Sequence, residues 1–195
     1  MPVKPISYVT IGLTGGIAGG KSTVLRQWGS AGAFVLSCDE LVREISARPH
    51  VRQQLHAGWG TSDPKALANI IFKQPRQREK LEQLLHPLVQ KEMISRLKKT
   101  TACVRVVEVP LLFEAGWQSL FDLTVAVVMP DSLRLKYACQ RGLSKNDFVS
   151  RNKSQWPQLK KAAQADVCIL NDGSVQELND KVVRLHHALK KFILQ

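Results

Sequence analysis

At 195 residues, the chain is long enough to bury one hydrophobic core and short for two, so we expect a single domain over residues 1–195. Its 44% hydrophobic and 23% charged residues are ordinary for a globular protein, and no apolar run reaches the roughly 18 residues of a membrane span. The net charge of +12 favours anionic partners, but the basic residues are dispersed, so we expect neither nucleic acid nor a membrane as a partner.

The cysteines, Cys38, Cys103, Cys139 and Cys168, lie far apart and include no C-x-x-C pair. This spacing is typical of a reducing compartment and indicates neither a disulfide framework nor a zinc site. The first five residues lack the apolar core of a secretory signal. We therefore expect a cytoplasmic protein, and the sequence leaves its oligomeric state open.

The first predicted strand covers residues 8–13 and leads into Gly-Gly-Ile-Ala-Gly-Gly-Lys-Ser at residues 15–22. This run matches the phosphate-binding pattern G-x-x-x-x-G-K-[ST], in which glycines let successive backbone N–H groups point into one concavity. Lys21 is expected to reach the β- and γ-phosphates, and the Ser22 hydroxyl to bind Mg²⁺. A helix predicted from Ser22 would direct the positive end of its dipole at the phosphates. The loop therefore predicts binding of a nucleoside triphosphate.

A second strand is predicted over residues 33–37, followed by a helix that Asp39 opens and that Asp39 could also cap. Between residues 49 and 100 no strand is predicted, and apolar residues recur at helical spacing. Pro64 suits the first turn of one of these helices, whereas Pro87 is expected to bend or interrupt another. This helical insertion is a candidate for binding a second substrate.

Strands return over residues 104–109 and 123–129 as nearly continuous β-branched runs. Such runs are expected of parallel strands that are covered on both faces. Asp131 with Ser132 can cap the helix that follows the second of these strands.

A polar and basic stretch over residues 142–163 is interpreted as a lid. After it come a last strand over residues 166–170, a turn, and a helix from about Ser174. The alternation predicts an α/β fold of the P-loop NTPase kinase type, a five-stranded parallel sheet flanked by helices. The core of that fold would consist of residues 1–48, 101–141 and 164–195.

Ligands in such folds bind beyond the carboxyl ends of the strands. We therefore expect the segments that follow the strands to meet at one cleft: residues 15–22, Asp39, Pro110 to Glu114 and Asn171. GTPases are disfavoured because residues 152–155, the nearest approach to N-K-x-D, lack the aspartate. Translocating ATPases are usually larger and carry a paired acidic motif after a strand, and here Glu108 stands alone. A small-molecule kinase is the class that remains.

The segment from Gly12 to Thr23 resembles the opening GLTGGIGSGKST of dephospho-CoA kinases. The resemblance extends over nearly the whole chain, because further matches follow in the order that they have in the family. They are to its V-I-D-A-D, H-P and PLLFE segments, its lid and its A-D-x-x-x-x-N-x-G ending. These matches lie at residues 35–40, 85–87, 109–114, 140–141 with 155, and 165–173.

The resemblance implies transfer of the ATP γ-phosphoryl group to the ribose 3′-hydroxyl of dephospho-CoA, the last step of coenzyme A synthesis, with Mg²⁺ as cofactor. Asp39 would hold the acceptor hydroxyl in line and take its proton late, while Lys21 and Arg141 would neutralise the transferred group. The implied ATP-binding residues are Gly16, Ile17, Ala18, Gly19, Gly20, Lys21, Ser22, Thr23, Arg141, Asn171 and Gly173. The implied acceptor-binding residues are Thr14, Asp39, His86, Pro110, Leu111 and Leu112.

This chain departs from the family pattern at several positions. Ser37 replaces the first aspartate of the D-A-D segment, and we expect weaker metal binding if that carboxylate helped to hold Mg²⁺. Ala18 stands where the family has glycine, a change that is tolerated only if the backbone there needs no positive φ. Pro64 aligns with the arginine of the family's L-D-R segment, so a substrate contact is either lost or supplied from elsewhere. Glu108 replaces a common aspartate and places its carboxylate one carbon farther out.

Structural roles compete with the catalytic ones at each residue. Asp39 could merely cap its helix, Arg141 could be a solvated residue at a helix end, and His86 could pack beside the Pro87 kink. At the level of function, a kinase of another small hydroxyl compound and a non-catalytic ATP-binding relative remain as alternatives. A nucleic-acid-binding protein regulated by ATP is suggested only by the net charge.

Overall fold

A computed structural model of the protein describes residues 7–193, with the side chains of all of these except 72 and 73. Over that range the sheet has five strands in the order β2-β3-β1-β4-β5. They are β1 Val9–Gly15, β2 Phe34–Ser37, β3 Val104–Glu108, β4 Leu123–Val128 and β5 Val167–Leu170. The predicted fold class, a five-stranded parallel sheet flanked by helices, is confirmed.

Helices connect the strands, as crossovers between parallel strands require. In chain order they are α1 Lys21–Ser30, α2 Cys38–Ser46, α3 Pro49–Trp59, α4 Pro64–Lys73, α5 Pro75–Lys99, α6 Asp131–Gln140, α7 Lys145–Lys153, α8 Gln158–Gln164 and α9 Val175–Ile193. A short 3₁₀ helix, Trp117–Leu120, precedes β4. Among the residues described, no helix combines the length and the apolar character needed to cross a membrane.

The register of the central strand β1 sets the edge at which a site can form. Leu13 lies opposite Glu108 of β3 and Val125 of β4, and Val128 lies opposite Leu170 of β5. Because these strands run parallel, their carboxyl ends open on one edge of the sheet, where the loop after β1 begins.

The hydrophobic core of the sheet joins β1, β3, β4 and β5 to helices α1 and α9. Its buried members are Ile11, Leu13, Val24, Leu25, Trp28, Val104, Val106, Val125, Val127, Ile169, Leu178, Val182 and Ile193. Burying each large apolar side chain contributes roughly 1.5–3 kcal/mol. This core makes the strands a rigid support for the loops at their carboxyl ends.

The described residues divide into two compact units. The unit that we call the sheet unit runs to Leu36 and resumes at Thr101. The other, which we call the helical unit, is Ser37–Thr100 and contains α2 to α5. Within the helical unit, α5 packs against α2 and α4, and α3 packs against α2.

Ion pairs fix α2, α3 and α5 within the helical unit. Arg48 pairs with Glu92 at 2.7 Å, and Arg96 pairs with Glu92 at 3.0 Å and with Glu44. Arg78 and Glu82 form a further pair one helical turn apart on α5. Three of the unit's arginines are thus neutralised by carboxylates.

Some local predictions were wrong. Of the bend or interruption expected at Pro87, the interruption is wrong, because helix α5 runs from Pro75 to Lys99 unbroken. The turns on both sides of Pro87 carry the buried side chains Leu85 and Val89, and this packing outweighs the hydrogen bond that proline removes. Ser37 rather than Asp39 occupies the N-cap position of α2, and Pro130 rather than Asp131 precedes the first residue of α6.

Candidate active site

The loop between β1 and α1 has the backbone that a phosphate cradle requires. The Gly19 N–H donates to the Gly16 carbonyl at 3.1 Å and closes the loop. Gly20, at the N-cap of α1, has φ 94°, a left-handed conformation that favours glycine, and no side chain caps the helix. The first N–H groups of α1 therefore stay available, with the positive end of the helix dipole behind them.

Ala18 also adopts a left-handed conformation, with φ 55°, and among the described residues it is the non-glycine with a positive φ. Position 18 therefore does not meet the condition under which alanine was expected to be tolerated, a backbone without a positive φ. For an L-residue this conformation costs about 1 kcal/mol. The closed loop and the adjoining core hold the residue in it.

Lys21 and Ser22 begin α1 directly after the cradle. The Lys21 Nζ donates to the Gly16 carbonyl at 3.0 Å, which folds the side chain back over the loop. The Ser22 hydroxyl donates to Oε1 of Glu108 at 3.2 Å, across 86 residues of sequence. Glu108 ends β3 and is buried, so the longer side chain reaches the helix.

This hydroxyl and carboxylate suit a magnesium ion. Mg²⁺ takes oxygen ligands and is usually held by one or two protein groups together with phosphate oxygens and water. No group of three or more His, Cys, Asp or Glu side chains placed to hold a metal occurs among residues 7–193 with described side chains. Ser22 and Glu108 thus fit an ion that arrives with a nucleotide better than a permanent all-protein metal site.

The segment after β3 lies against the end of β1. The Val109 N–H donates to the Leu13 carbonyl at 2.8 Å, and the Thr14 hydroxyl donates to the Pro110 carbonyl at 3.2 Å. Thr14 and Leu112 are fully buried, whereas Leu111 is partly exposed. Of Thr14, Leu111 and Leu112, Leu111 therefore keeps the most side-chain surface for a ligand.

The loop after β5 braces the phosphate loop. Asn171 Nδ2 donates to the Gly19 carbonyl at 3.2 Å, and the Asn171 N–H donates to the Val128 carbonyl at 2.7 Å. At Gly173, a Cβ would overlap the Glu177 carboxylate. The Asn171 side chain is thus committed to shaping the loop in this state, whereas at Gly173 the exposed Glu177 side chain is free to move aside.

Arg134 is a site residue that the sequence analysis missed. It is 2% exposed, and its Nε donates to the Ile17 carbonyl of the phosphate loop at 2.9 Å, 117 residues away in sequence. Its two terminal nitrogens donate to Asp131 at 2.8 Å and to Asn152 of α7 at 2.6 Å. One guanidinium therefore joins the phosphate loop, α6 and α7. The only signal in the sequence is the Asp131–Arg134 spacing of three, which marks a helical ion pair and not a loop contact.

Lys161 of α8 is the second residue that was missed. Its side chain is fully buried, and Nζ donates to the Pro110 carbonyl at 2.6 Å and pairs with Glu114 at 2.9 Å. Glu114 also accepts the Trp156 N–H at 2.8 Å. Burial lowers the pKa of Lys161, and the Glu114 carboxylate opposes this shift. This pair fastens the end of the expected lid to the Pro110 segment.

Other predicted site residues are exposed or lie in the helical unit. Arg141 follows α6 and is exposed. Asp39 is exposed in the first turn of α2. His86 of α5 is half-buried, and burial lowers its pKa while the Glu82 carboxylate opposes the shift. The structure thus joins Thr14, residues 16–23, Pro110 and Asn171 in the sheet unit.

Known proteins share this sequence and fold. The family model "Dephospho-CoA kinase" matches residues 9–177. A dephospho-CoA kinase of Parasynechococcus marenigrum is 39% identical over 184 residues, which cover 89% of this chain and 93% of that protein. One from Aquifex aeolicus is 33% identical over 192 residues, covering 93% and 97%.

Solved structures agree with these relatives. TT1252 from Thermus thermophilus superposes with a TM-score of 0.83 at 31% identity, covering 93% of this chain and 98% of that one. A dephospho-CoA kinase from Campylobacter jejuni gives a TM-score of 0.67 at 25% identity, covering 93% and 97%. A shikimate kinase from Acinetobacter baumannii shares the fold, with a TM-score of 0.55 at 16% identity. The match covers 94% of this chain and 95% of that one. The chain belongs to the dephospho-CoA kinase family, which confirms the family and the class of enzyme, an ATP-dependent kinase, that the sequence predicts.

Proposed function

We propose that this protein transfers the γ-phosphoryl group of ATP to the ribose 3′-hydroxyl of dephospho-CoA in the cytoplasm, giving coenzyme A and ADP. The observation that carries the proposal is the phosphate loop, with Lys21 folded over it and Ser22 bonded to Glu108. Membership of the dephospho-CoA kinase family supplies the acceptor.

The phosphate loop binds and orients the triphosphate. Backbone N–H groups of residues 16–23 donate to phosphate oxygens, and Lys21 moves from the Gly16 carbonyl to the β- and γ-phosphates. Phosphoryl transfer has a loose transition state, so catalysis consists mainly of positioning and charge neutralisation. Lys21 and Arg141 lower the barrier by neutralising the three oxygens of the transferred group.

Ser22 and Glu108 would hold Mg²⁺, through the hydroxyl and the carboxylate respectively. When bound, the ion would supply positive charge that offsets the negative charge of the phosphates. Ser37, in place of the family's aspartate, leaves Glu108 as the carboxylate that we assign to this task.

Asp39 acts as the base for the acceptor. It accepts a hydrogen bond from the 3′-hydroxyl and holds it in line with the γ-phosphorus. As the new O–P bond forms and the bond from phosphorus to the β-γ bridging oxygen breaks, the hydroxyl proton passes to Asp39 and ADP leaves. Exposure of Asp39 in the first turn of α2 supports this role, because the carboxylate is accessible to a bound hydroxyl group.

The remaining segments bind and enclose the substrates. The segment of residues 142–163, with α7 and α8, is the lid, and closing it excludes water that would otherwise hydrolyse ATP. Asn171 and Gly173 contact the adenine of ATP. The insertion of residues 49–100, with His86, binds the acceptor together with Thr14, Pro110, Leu111 and Leu112.

Mass spectrometry of the reaction of ATP, Mg²⁺ and dephospho-CoA tests the proposal. We expect coenzyme A with the wild-type protein, at least about 10²-fold less with Asp39→Asn, and unchanged yield with Glu40→Gln. Glu40 is the matched control because it is the neighbouring exposed carboxylate on α2. Folded, ATP-binding protein that gives no coenzyme A would overturn the proposal, and phosphorylation of a different hydroxyl compound would reassign the acceptor.

A further inference from the structure

Helix α9 packs against α1 and β3 along an apolar face that one polar residue interrupts. The buried positions of α9 recur at helical spacing and are Leu178, Val182, His186 and Ile193. His186 is 1% exposed, and among the described residues neither of its ring nitrogens has a hydrogen-bond partner. A neutral imidazole carries one donor and one acceptor, and burying such groups without partners costs stability. An aliphatic residue would pack this face at lower cost, so packing does not explain the histidine.

The charges of its own helix that act on His186 are positive. Lys190 follows one turn later in α9, and the ring of His187 lies 6.0 Å from that of His186 between centroids. Burial lowers the pKa of His186 most, and Lys190 and His187 lower it further. Both of these neighbours are exposed to water, whereas a cation at His186 would be buried.

The elements that form this core with α9 offer one carboxylate, and it is engaged elsewhere. Helix α1 carries Lys21 and Arg26 and no acid. Strand β3 carries Arg105 and Glu108, and the Glu108 carboxylate accepts the Ser22 hydroxyl at 3.2 Å. Strands β1 and β4 have no titratable side chain, and β5 has one exposed thiol. A proton on His186 would therefore stay uncompensated in the core.

From this arrangement we propose that His186 is a pH-sensitive switch, which lets α9 pack against α1 and β3 only while its ring is neutral. The unfolded chain, in which the pKa of His186 is ordinary, binds the proton more readily than the folded one. The contribution of the neutral ring to stability is therefore complete above about pH 6.5 and decreases as the pH falls towards the lower pKa of the folded state. Helix α1, which α9 supports, begins with Lys21 and Ser22, so the switch acts on the helix that carries phosphate-binding residues.

Urea denaturation between about pH 5 and pH 8 tests this switch. Below about pH 6.5 we expect the ratio of folded to unfolded protein to fall more steeply for the wild type than for His186→Leu, by up to a further tenfold per pH unit. His187→Gln is the matched control, because His187 is the exposed neighbour on the same helix, and it should keep the wild-type steepness. His86, whose pKa is also lowered by burial, is present in all three proteins and cancels from the comparison. Equal steepness of the wild type and His186→Leu would refute the switch.

NMR of the wild-type protein gives a readout that does not depend on how a variant folds. With ring resonances assigned through the backbone, we expect His186 to stay neutral to about one pH unit or more below the range in which His187 titrates. Amide hydrogen exchange, corrected for the intrinsic effect of pH, should show that acid lowers the protection of α9 before that of β4. Titration of His186 in the same range as His187, or protection of α9 that does not fall in acid, would rule the switch out.

Discussion

The phosphate loop and the segment from α6 to α8 meet in one site, yet they are built in opposite ways. The loop acts through its backbone and through side chains at residues 15–23, which are close in sequence. The segment from α6 to α8 acts through single buried side chains with distant partners, such as Arg134 on Ile17 and Lys161 on Pro110 and Glu114. Substitutions in the loop should therefore impair chemistry, and those in the later segment should impair stability or loop geometry.

The largest effect is expected at Lys21. Lys21→Met keeps the apolar stem of the side chain and removes the charge that neutralises the transferred phosphoryl group. We expect kcat to fall by about 10³-fold or more, while the free energy of unfolding falls by about 1.5–3 kcal/mol, the range for a hydrogen bond made by a charged group such as the one from Nζ to the Gly16 carbonyl. Coupled kinetic assays and urea denaturation measure the two quantities. A loss of stability beyond this range would show that the loop, too, depends on its side chains for folding.

The second-largest effect is expected at Lys161, where the free energy of unfolding should change more than kcat. Lys161→Met leaves the partly exposed Glu114 carboxylate without its cationic partner but still bonded to the Trp156 N–H, so we expect a cost at or below the roughly 3–5 kcal/mol of breaking a fully buried pair on one side. Because Glu114→Gln removes the stranded charge, the double variant Lys161→Met, Glu114→Gln should recover part of this loss. Urea denaturation of the two single variants and the double variant gives the coupling energy.

That cycle has a clear contrary outcome. If the two single losses simply add in the double variant, Lys161 and Glu114 do not stabilise each other, and the contact at 2.9 Å is incidental. A fall in kcat as large as that of Lys21→Met, with stability unchanged, would place Lys161 among the groups that act on the substrate.

This contrast also explains which parts of the molecule the sequence could predict. The strand before the loop, the loop itself and α1 follow from local patterns, because glycine placement and β-branched runs act over a few residues. The buried contacts of Arg134 with Ile17 and of Lys161 with Pro110 join residues 117 and 51 positions apart, and no local pattern encodes such distances. Arg134 belongs to no motif that would single it out, and Lys161 was counted as part of a basic lid. The continuity of α5 through Pro87 escaped prediction for the same reason, since packing at distant residues decides it.

An intermediate effect is expected at Arg134, which joins the two regions. Arg134→Lys keeps the charge but supplies a point donor in place of a planar fork, so it cannot serve Ile17, Asp131 and Asn152 together. We expect KM for ATP to rise about tenfold, as the cradle loses a support, with kcat changed less than about threefold. Lys136→Gln, an exposed site on the same helix, serves as the control. Unchanged KM for ATP would show that the loop holds its shape alone, which would sharpen the contrast between the regions.

The smallest effect is expected at Ala18, the one place where the phosphate loop carries backbone strain on a non-glycine residue of the described chain. Ala18→Gly removes about 1 kcal/mol of left-handed strain and adds about 0.5–1 kcal/mol of unfolded-state entropy. The two nearly cancel, so we expect the free energy of unfolding to stay within about 0.5 kcal/mol of the wild type. Ala31→Gly is the matched control, because Ala31 follows the other end of α1 with an ordinary φ of −80°. It should lose the full 0.5–1 kcal/mol, on the order of the glycine penalty alone. Equal losses at the two positions would mean that the loop is not strained at Ala18, and that its backbone is shaped wholly by the glycines around it.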